Sequence, residues 1–343
     1  MTTPTRRKRL LFAAITFVLT ALLMIGAVTA ADVYAHWRTQ DVAGVNVWGY
    51  RGAPQSRKPA NGLRVVMLGG STVFGWGLPA HESIPAFLEQ RLAAAGSPMS
   101  VVNLGAPRQG AYGFLYDLQD FADLDYDIVC LYEGYNDLGG TVPHLSQVLA
   151  VSERNYHLWR RTSPVFRAFR YYPILPVVLI EKADILTAPP AGAVAFTPGL
   201  AARATASAMR ATAAVSAQLS RQLGGLSDVP PVPVVEDDCT ATWRHYCGSV
   251  RAAVDWARAR GKRVLVVTQP YISDSHVDQQ ANLAAMIEKY FGSDTGVRYL
   301  NLGRSIDLRD SRIAYDGLHL VAAGNDTIAA QLVEPVRTLS MVK

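Results

Sequence analysis

The chain has 343 residues, half of them hydrophobic and 18% charged, so it is long enough for one large α/β domain or two small ones. Its net charge of +5 comes mainly from four basic residues near the N-terminus, and residues 1–31 contain no acid. The rest of the chain is therefore close to neutral, which excludes the basic face that nucleic-acid binding requires. No nucleic-acid partner is expected.

A membrane helix is predicted near the N-terminus, behind a basic tail at 1–9. Residues 10–31 carry no charge, and a helix of that length spans a bilayer core of about 30 Å. The positive-inside rule places the tail in the cytoplasm and the chain from Asp32 onward outside it, periplasmic or at the cell surface. Two alternatives remain: a buried core helix, and a signal peptide cleaved before Ala31, where Val28-Thr29-Ala30 supplies small residues.

An alternation of strands and helices follows a polar connector at 32–62 and defines a domain at 63–339. Short apolar strands are predicted at 63–68, 100–104, 127–132, 263–268 and 297–302. Amphipathic helices are predicted at 83–95, 112–124, 250–260, 279–290 and 321–336. This pattern is typical of a five-stranded parallel sheet covered on both faces, in which ligands bind at the carboxyl ends of the strands.

One long segment, 141–237, interrupts the alternation. It contains an apolar decamer at 171–180, too short to span a membrane, and an alanine-rich helix at about 200–223. We interpret it as a helical insertion that caps the ligand crevice. A surface excursion without a functional role is the alternative.

The three cysteines are predicted to be one free thiol and one disulfide pair. Cys130 lies in a predicted strand and is expected to be a buried thiol. Cys239 and Cys247 flank a short polar loop and are predicted to form a disulfide in an exported domain. His245 and Asp238 permit a zinc site instead, but no second cysteine or histidine pair completes a tetrahedral set.

The residues with catalytic chemistry follow predicted strands. Ser71 comes after Gly69 and Gly70, whose turn would present the hydroxyl at a helix N-terminus. His319 has Asp316 three residues before it, a spacing at which the carboxylate reaches the far ring nitrogen. Ser71, His319 and Asp316 thus supply a nucleophile, a general base and a group that orients the base.

Stabilisation of an oxyanion is assigned to three donors. These are the backbone N–H groups of Ser71 and Gly105 and the side-chain amide of Asn136. Gly105 and Asn136 follow the second and third predicted strands. Three neighbouring residues are predicted to contact substrate: Arg108, Glu133 and Tyr315.

Four segments in order resemble the sequence blocks of SGNH, or GDSL-like, hydrolases: Gly69-Gly70-Ser71-Thr72, Gly105, Gly134-Tyr135-Asn136-Asp137 and Asp316-x-x-His319. The resemblance covers about 63–336. The first block has Gly and Thr where the GDSL pattern has Asp and Leu, which is similar to the subgroup that opens with Gly-Gly-Ser. The resemblance implies a three-layer α/β/α flavodoxin-like fold, the same catalytic and oxyanion residues, and acyl-ester hydrolysis without metal or cofactor.

The leading hypothesis is an extracytoplasmic serine esterase that removes an acyl group, for example acetyl, from a glycan or lipid. One alternative is an acyltransferase that uses the same triad on a cell-surface polysaccharide. A single span cannot carry an acyl donor across the membrane, so transfer would need a multi-span partner. The other alternative is a non-catalytic glycan-binding or scaffold module, which loss of a triad residue would favour. No triad residue is missing.

Overall fold

A computed structural model gives the structure of the chain and describes residues 4–139, 160–187, 203–212, 214 and 239–342. Its centre is a five-stranded parallel sheet in the order β2-β1-β3-β4-β5. The strands are β1 (Leu63–Gly69), β2 (Met99–Asn103), β3 (Ile128–Glu133), β4 (Arg263–Thr268) and β5 (Val297–Asn301). This order is the flavodoxin-like one, so the predicted fold is confirmed.

Helices pack on both faces of the sheet. In chain order, the helices are α1 (Pro4–Thr39), α2 (Ser71–Phe74), α3 (Ile84–Ala94), α4 (Phe114–Asp120), α5 (Pro164–Phe169), α6 (Leu175–Thr187), α7 (Arg244–Arg258), α8 (Asp274–Phe291) and α9 (Ala322–Met341). Each strand lies within one residue of its predicted bounds. The later helices are longer than predicted: α7, for example, begins earlier because Tyr246 and Cys247 already face the core while Arg244 and His245 face solvent.

Alternate residues of the central strand enter two separate cores. Val66 and Leu68 pack with α4, α7 and α8 on one face of the sheet. Val65 and Met67 pack with α3 and α9 on the other. Burial on both faces explains why the strands are continuous apolar runs. Because both faces of the sheet are buried, polar side chains are found mainly at the ends of the strands.

The segment 32–62, predicted as a connector, packs on the domain through Arg51. This arginine is buried, and its guanidinium donates to the carbonyl oxygens of Gln40, Val42, Gly44 and Leu78 at 2.7–2.9 Å. It therefore joins the residues that follow α1 to the loop that follows α2.

The C-terminal end of α1 is also held in the domain. Asp32 is buried and accepts hydrogen bonds from the N–H groups of Ile174 and Leu175, at the start of α6, and from the Tyr171 hydroxyl. The ring nitrogens of buried His36 lie 2.8 and 2.7 Å from carbonyl oxygens. The rest of α1 is exposed, and it is long and apolar enough to cross a bilayer.

The described parts of the insertion, 160–187 and 203–212, are mostly helical. Arg160 is buried and pairs with Asp117 and Asp120, which attaches this segment to α4. The rest of the insertion, apart from residue 214, lies outside the described residues, and its role as a cap over the crevice stays a prediction.

The cysteines are arranged as predicted. Cys239 and Cys247 form a disulfide with a Cα–Cα distance of 6.3 Å. Their sulfurs are bonded to each other, and among the described residues no group of three or more His, Cys, Asp or Glu side chains could hold a metal ion. Cys130 is a free thiol buried in β3, where burial raises its pKa to about 12.

Candidate active site

The turn after β1 presents Ser71 at the carboxyl edge of the sheet. β1 ends at Gly69, and Ser71 is the first residue of α2. Both glycines allow a close approach of other groups. A Cβ atom at position 69 would overlap the Tyr132 carbonyl oxygen, and one at position 70 would overlap the Asn136 side-chain amide.

His319 connects Ser71 to Asp316. Its Nε2 atom lies 2.9 Å from Ser71 Oγ, and its Nδ1 atom lies 2.7 Å from Asp316 Oδ2. The second carboxylate oxygen of Asp316 accepts the N–H groups of Leu318 and His319 at 3.0 and 2.6 Å. With the imidazole proton on Nδ1, the ring donates to Asp316 and accepts from the Ser71 hydroxyl. The structure thus brings together the three residues predicted as the triad.

The environment of Asp316 keeps it ionised. Partial burial acts to raise its pKa, but hydrogen bonds from His319 and Leu318 outweigh burial and hold the pKa below the usual range. Tyr315 stacks on the His319 ring with a centroid distance of 5.8 Å, and its hydroxyl donates to the Trp76 carbonyl oxygen. Tyr315 is 49% exposed, and its predicted contact with substrate stays a prediction.

The side-chain amide of Asn136 lies beside the nucleophile turn. Asn136 belongs to a 3₁₀ turn, Tyr135–Asp137, directly after β3 and Gly134. Its Nδ2 atom donates to the Gln109 carbonyl oxygen at 2.8 Å and lies against Gly70. An amide nitrogen carries two hydrogens, so Nδ2 has a second one to donate. This position agrees with the predicted oxyanion role, which stays a prediction.

The backbone N–H of Gly105 has a partner within its own loop. It donates to Asn103 Oδ1 at 2.9 Å, so this group is already used within the loop. A Cβ atom at position 105 would overlap the backbone of Val73 and Phe74. Gly105 is therefore required for the close packing of this loop against α2, and its oxyanion role stays a prediction.

The predicted contact of Glu133 with substrate is corrected by its burial. It is only 3% exposed, and its carboxylate accepts the Tyr246 hydroxyl in the interior beneath the site. Burial raises its pKa well above the usual range, with a contribution from the nearby Asp137 charge. A substrate at the strand ends would not reach it. Arg108, by contrast, is exposed in the loop after β2 with φ 63°, and its contact with substrate stays a prediction.

Two glutamines at the site were not predicted. Gln109 supplies the carbonyl that holds Asn136. Gln269 follows β4 directly and hydrogen-bonds to Thr72 and Tyr135. The signal that could have identified Gln269 is a polar side chain at the carboxyl end of a parallel strand.

The fold and the serine–histidine–aspartate geometry are those of a serine hydrolase with a flavodoxin-like sheet. The chain belongs to the GDSL-like lipase/acylhydrolase family, whose sequence profile matches residues 67–327. It is accordingly an enzyme of the carboxylic ester hydrolase class. A search of curated protein sequences finds no match to the chain.

Solved structures of similar fold come from several bacteria. A psychrotrophic esterase from Pseudoalteromonas sp., inhibited by monoethylphosphonate, is 11% identical with a TM-score of 0.42, over 80% of this chain and 96% of the esterase. A family 3 carbohydrate esterase from Clostridium thermocellum is 12% identical with a TM-score of 0.40, over 82% and 98%. A GDSL-like lipase from Bacteroides thetaiotaomicron is 13% identical with a TM-score of 0.41, over 84% and 93%.

Proposed function

We propose that the chain is an extracytoplasmic serine esterase that removes an acyl group, such as acetyl, from a glycan or lipid. The observation that carries this proposal is the continuous line of contacts from Ser71 Oγ through the His319 ring to Asp316. A serine hydroxyl is a weak nucleophile until a neighbouring base accepts its proton. His319 Nε2 lies at hydrogen-bonding distance for that transfer.

Catalysis would proceed through an acyl-enzyme. Ser71 Oγ attacks the ester carbonyl carbon while its proton passes to His319 Nε2, and the ionised Asp316 stabilises the resulting imidazolium. The Ser71 N–H and the Asn136 amide would stabilise the oxyanion. Collapse of the intermediate expels the alcohol, which takes the proton from His319. Water then attacks the acyl carbonyl carbon while its proton passes to His319 Nε2. Collapse of the second intermediate releases the carboxylic acid, and His319 returns the proton to Ser71 Oγ.

The proposed location rests on α1. Residues 10–31 supply the apolar length of a span, and the basic residues before it favour a cytoplasmic N-terminus. Val28 to Ala31, the candidate cleavage segment, lies inside a continuous helix that runs on to Thr39. Asp32 and His36 then fix the end of that helix in the domain. These features favour a retained anchor over a cleaved signal.

Two experiments test the proposal. Ser71→Ala should reduce hydrolysis of p-nitrophenyl acetate and acetylated sugars below about a hundredth of wild type without loss of folded protein. Greater residual activity would assign the nucleophile elsewhere. Carbonate extraction with N-terminal sequencing tests the location, and a mature chain that begins at Ala31 would leave a soluble exported enzyme instead of an anchored one.

A further inference from the structure

A buried amide at the carboxyl end of β4 contacts both turns of the candidate active site. Gln269 is 2% exposed, its Nε2 atom donates to Thr72 Oγ1 at 2.8 Å, and its Oε1 atom accepts the Tyr135 N–H at 2.9 Å. Thr72 follows Ser71, and Tyr135 precedes Asn136. One planar amide therefore joins the neighbours of the proposed nucleophile and the proposed oxyanion donor.

The strand ladder alone does not set the separation of these two turns. The pairing of β1 with β3 ends at Gly69 and Tyr132, before Ser71 and Asn136 are reached. β4 is not a neighbour of β1, because β3 lies between them. Gln269 consequently reaches across the end of β3 and links turns that leave two different strands.

The turn that carries Asn136 is held at several points from the same side. The Tyr135 hydroxyl donates to the Pro270 carbonyl oxygen at 2.6 Å, and Gln279 Nε2 donates to the Gly134 carbonyl oxygen at 3.2 Å. These bonds fix the turn against β4 and α8. Among these contacts, the Gln269 side chain is the one that also reaches the nucleophile turn.

We propose that Gln269 is a positioning residue that fixes the distance between Ser71 and Asn136 during ester hydrolysis. The inference rests on the proposed function, because it assigns Gln269 a role in that reaction. Gln269 acts through Thr72 and Tyr135 and does not touch substrate. Oxyanion donors stabilise the transition state only when they are held in the required geometry. A small shift of Asn136 would therefore lower kcat strongly and weaken substrate binding only slightly.

The chemistry of an amide suits this link. The amide donates with its nitrogen and accepts with its oxygen, which matches a threonine hydroxyl on one side and a backbone N–H on the other. A leucine fills a similar volume but would leave both partners buried without hydrogen bonds. Each turn would then shift toward a new partner, and the two proposed parts of the site would lose their relative position.

The test compares variants of the full chain in kcat and KM for p-nitrophenyl acetate. Gln269→Leu should lower kcat about 10- to 100-fold and change KM less than about threefold. Gln269→Glu keeps an acceptor for both partners and should recover kcat to within about tenfold of wild type. Asn325→Leu is the matched control, because Asn325 is an equally buried amide that donates to the Glu82 carbonyl oxygen and bonds to neither turn.

A cycle with Thr72→Val tests the link itself. Thr72→Val should also lower kcat, and Thr72→Val with Gln269→Leu should be no slower than Gln269→Leu alone, because both changes remove the same contact. The proposal is overturned if Gln269→Leu keeps kcat within about threefold of wild type, if KM alone rises, or if Asn325→Leu lowers kcat as much as Gln269→Leu does.

Should Gln269→Leu fail to fold, a Thr72→Val variant with wild-type kcat would overturn the proposal by itself. A wild-type chain without esterase activity would refute the proposed function and this role together. An inactive Ser71→Ala beside an unaffected Gln269→Leu would refute the role of Gln269 alone.

Discussion

Gly70 lies directly against the side-chain amide of Asn136, so that a Cβ atom at position 70 would overlap Asn136 Nδ2. The amide is also bonded to the Gln109 carbonyl oxygen at 2.8 Å and cannot retreat without losing that bond. The turn that presents the proposed nucleophile and the proposed oxyanion donor are therefore in direct contact.

This contact predicts the effect of Gly70→Ala. The new methyl group should displace the Asn136 amide and lower kcat by about tenfold or more with little change in KM, because the displaced donor serves the transition state. Steady-state kinetics measures the effect. Gly26→Ala is the control, since a Cβ atom there has open space around it. A rise in KM with unchanged kcat would contradict the explanation.

Removal of the Asn136 amide should lower kcat more than Gly70→Ala does. Asn136→Ala is expected to lower kcat about 10²- to 10³-fold, as loss of an oxyanion donor does elsewhere, and to leave KM nearly unchanged. Asn282→Ala, at an amide that bonds Asp278 and lies outside the site, should have wild-type kinetics. If KM alone rises in Asn136→Ala, Asn136 binds substrate and the oxyanion assignment fails.

The buried pair of Arg160 and Asp117 should be important for stability. Arg160→Met leaves the Asp117 carboxylate buried without its cation, which is expected to cost about 3–5 kcal/mol in the free energy of unfolding. Urea denaturation measures the loss, and adding Asp117→Asn should restore part of it. Arg309→Met breaks an ion pair with Asp307 at the surface and should leave the free energy of unfolding close to that of wild type, because solvent screens exposed charges. Equal losses in the two single variants would contradict the prediction.

His276 should make the protein less stable in acid. Burial lowers its pKa to about 4, whereas an unfolded chain titrates near the usual value of about 6.5. Between these pH values the unfolded state binds a proton that the native state does not. The free energy of unfolding should therefore fall by up to about 3 kcal/mol as the pH drops from about 6.5 to about 4.

Urea denaturation at several pH values tests this expectation. His276→Gln should show a shallower decrease in the free energy of unfolding over that interval, since it removes the group that takes up the proton. His81→Gln changes an exposed histidine and should keep the wild-type slope. An unchanged slope in His276→Gln would assign the acid sensitivity to other groups.

The disulfide should contribute modestly to stability. Cys239→Ser is expected to lower the free energy of unfolding by about 2–3 kcal/mol, because the bridge closes a short loop in the unfolded chain. A reductant should lower the melting temperature of the wild-type protein to that of the variant. Non-reducing mass mapping that finds free thiols at both positions in exported protein would refute the bridge in the natural compartment.

The sequence predicted the parts of the site that short motifs define. Ser71, Asn136 and the Asp316–His319 pair each follow a strand, and parallel strands present their carboxyl ends at one edge, so the order of the motifs along the chain is enough to predict their proximity. Glu133 follows the same rule of position but is buried. The direction of its side chain depends on Tyr246, which lies more than a hundred residues away in sequence.

The contacts of Gly105, Gln269 and Arg51 could not be predicted, because they depend on how the chain folds and no sequence motif marks them. The Gly105 N–H is used by a side chain two residues earlier, and a glycine after a strand looks the same whether it lines an oxyanion hole or packs against a helix. Gln269 stands alone, without a motif around it. Arg51 lies in a polar segment, where an arginine is expected to be solvated, and only the folded chain brings four carbonyl oxygens to it.

If α1 spans a bilayer, the attachment of Arg51 to the residues that follow α1 would limit the reach of the domain. Ala31 and Thr39 are about 12 Å apart along the helix, and Arg51 holds the loop of Leu78 close to Gln40 and Val42. With α1 in a bilayer, this attachment would keep the domain close to the lipid surface. An enzyme held in this way would encounter substrate mainly by diffusion in the plane of the membrane. An ester displayed on vesicles by a short spacer should be hydrolysed far faster than one on a long, stiff polyproline spacer.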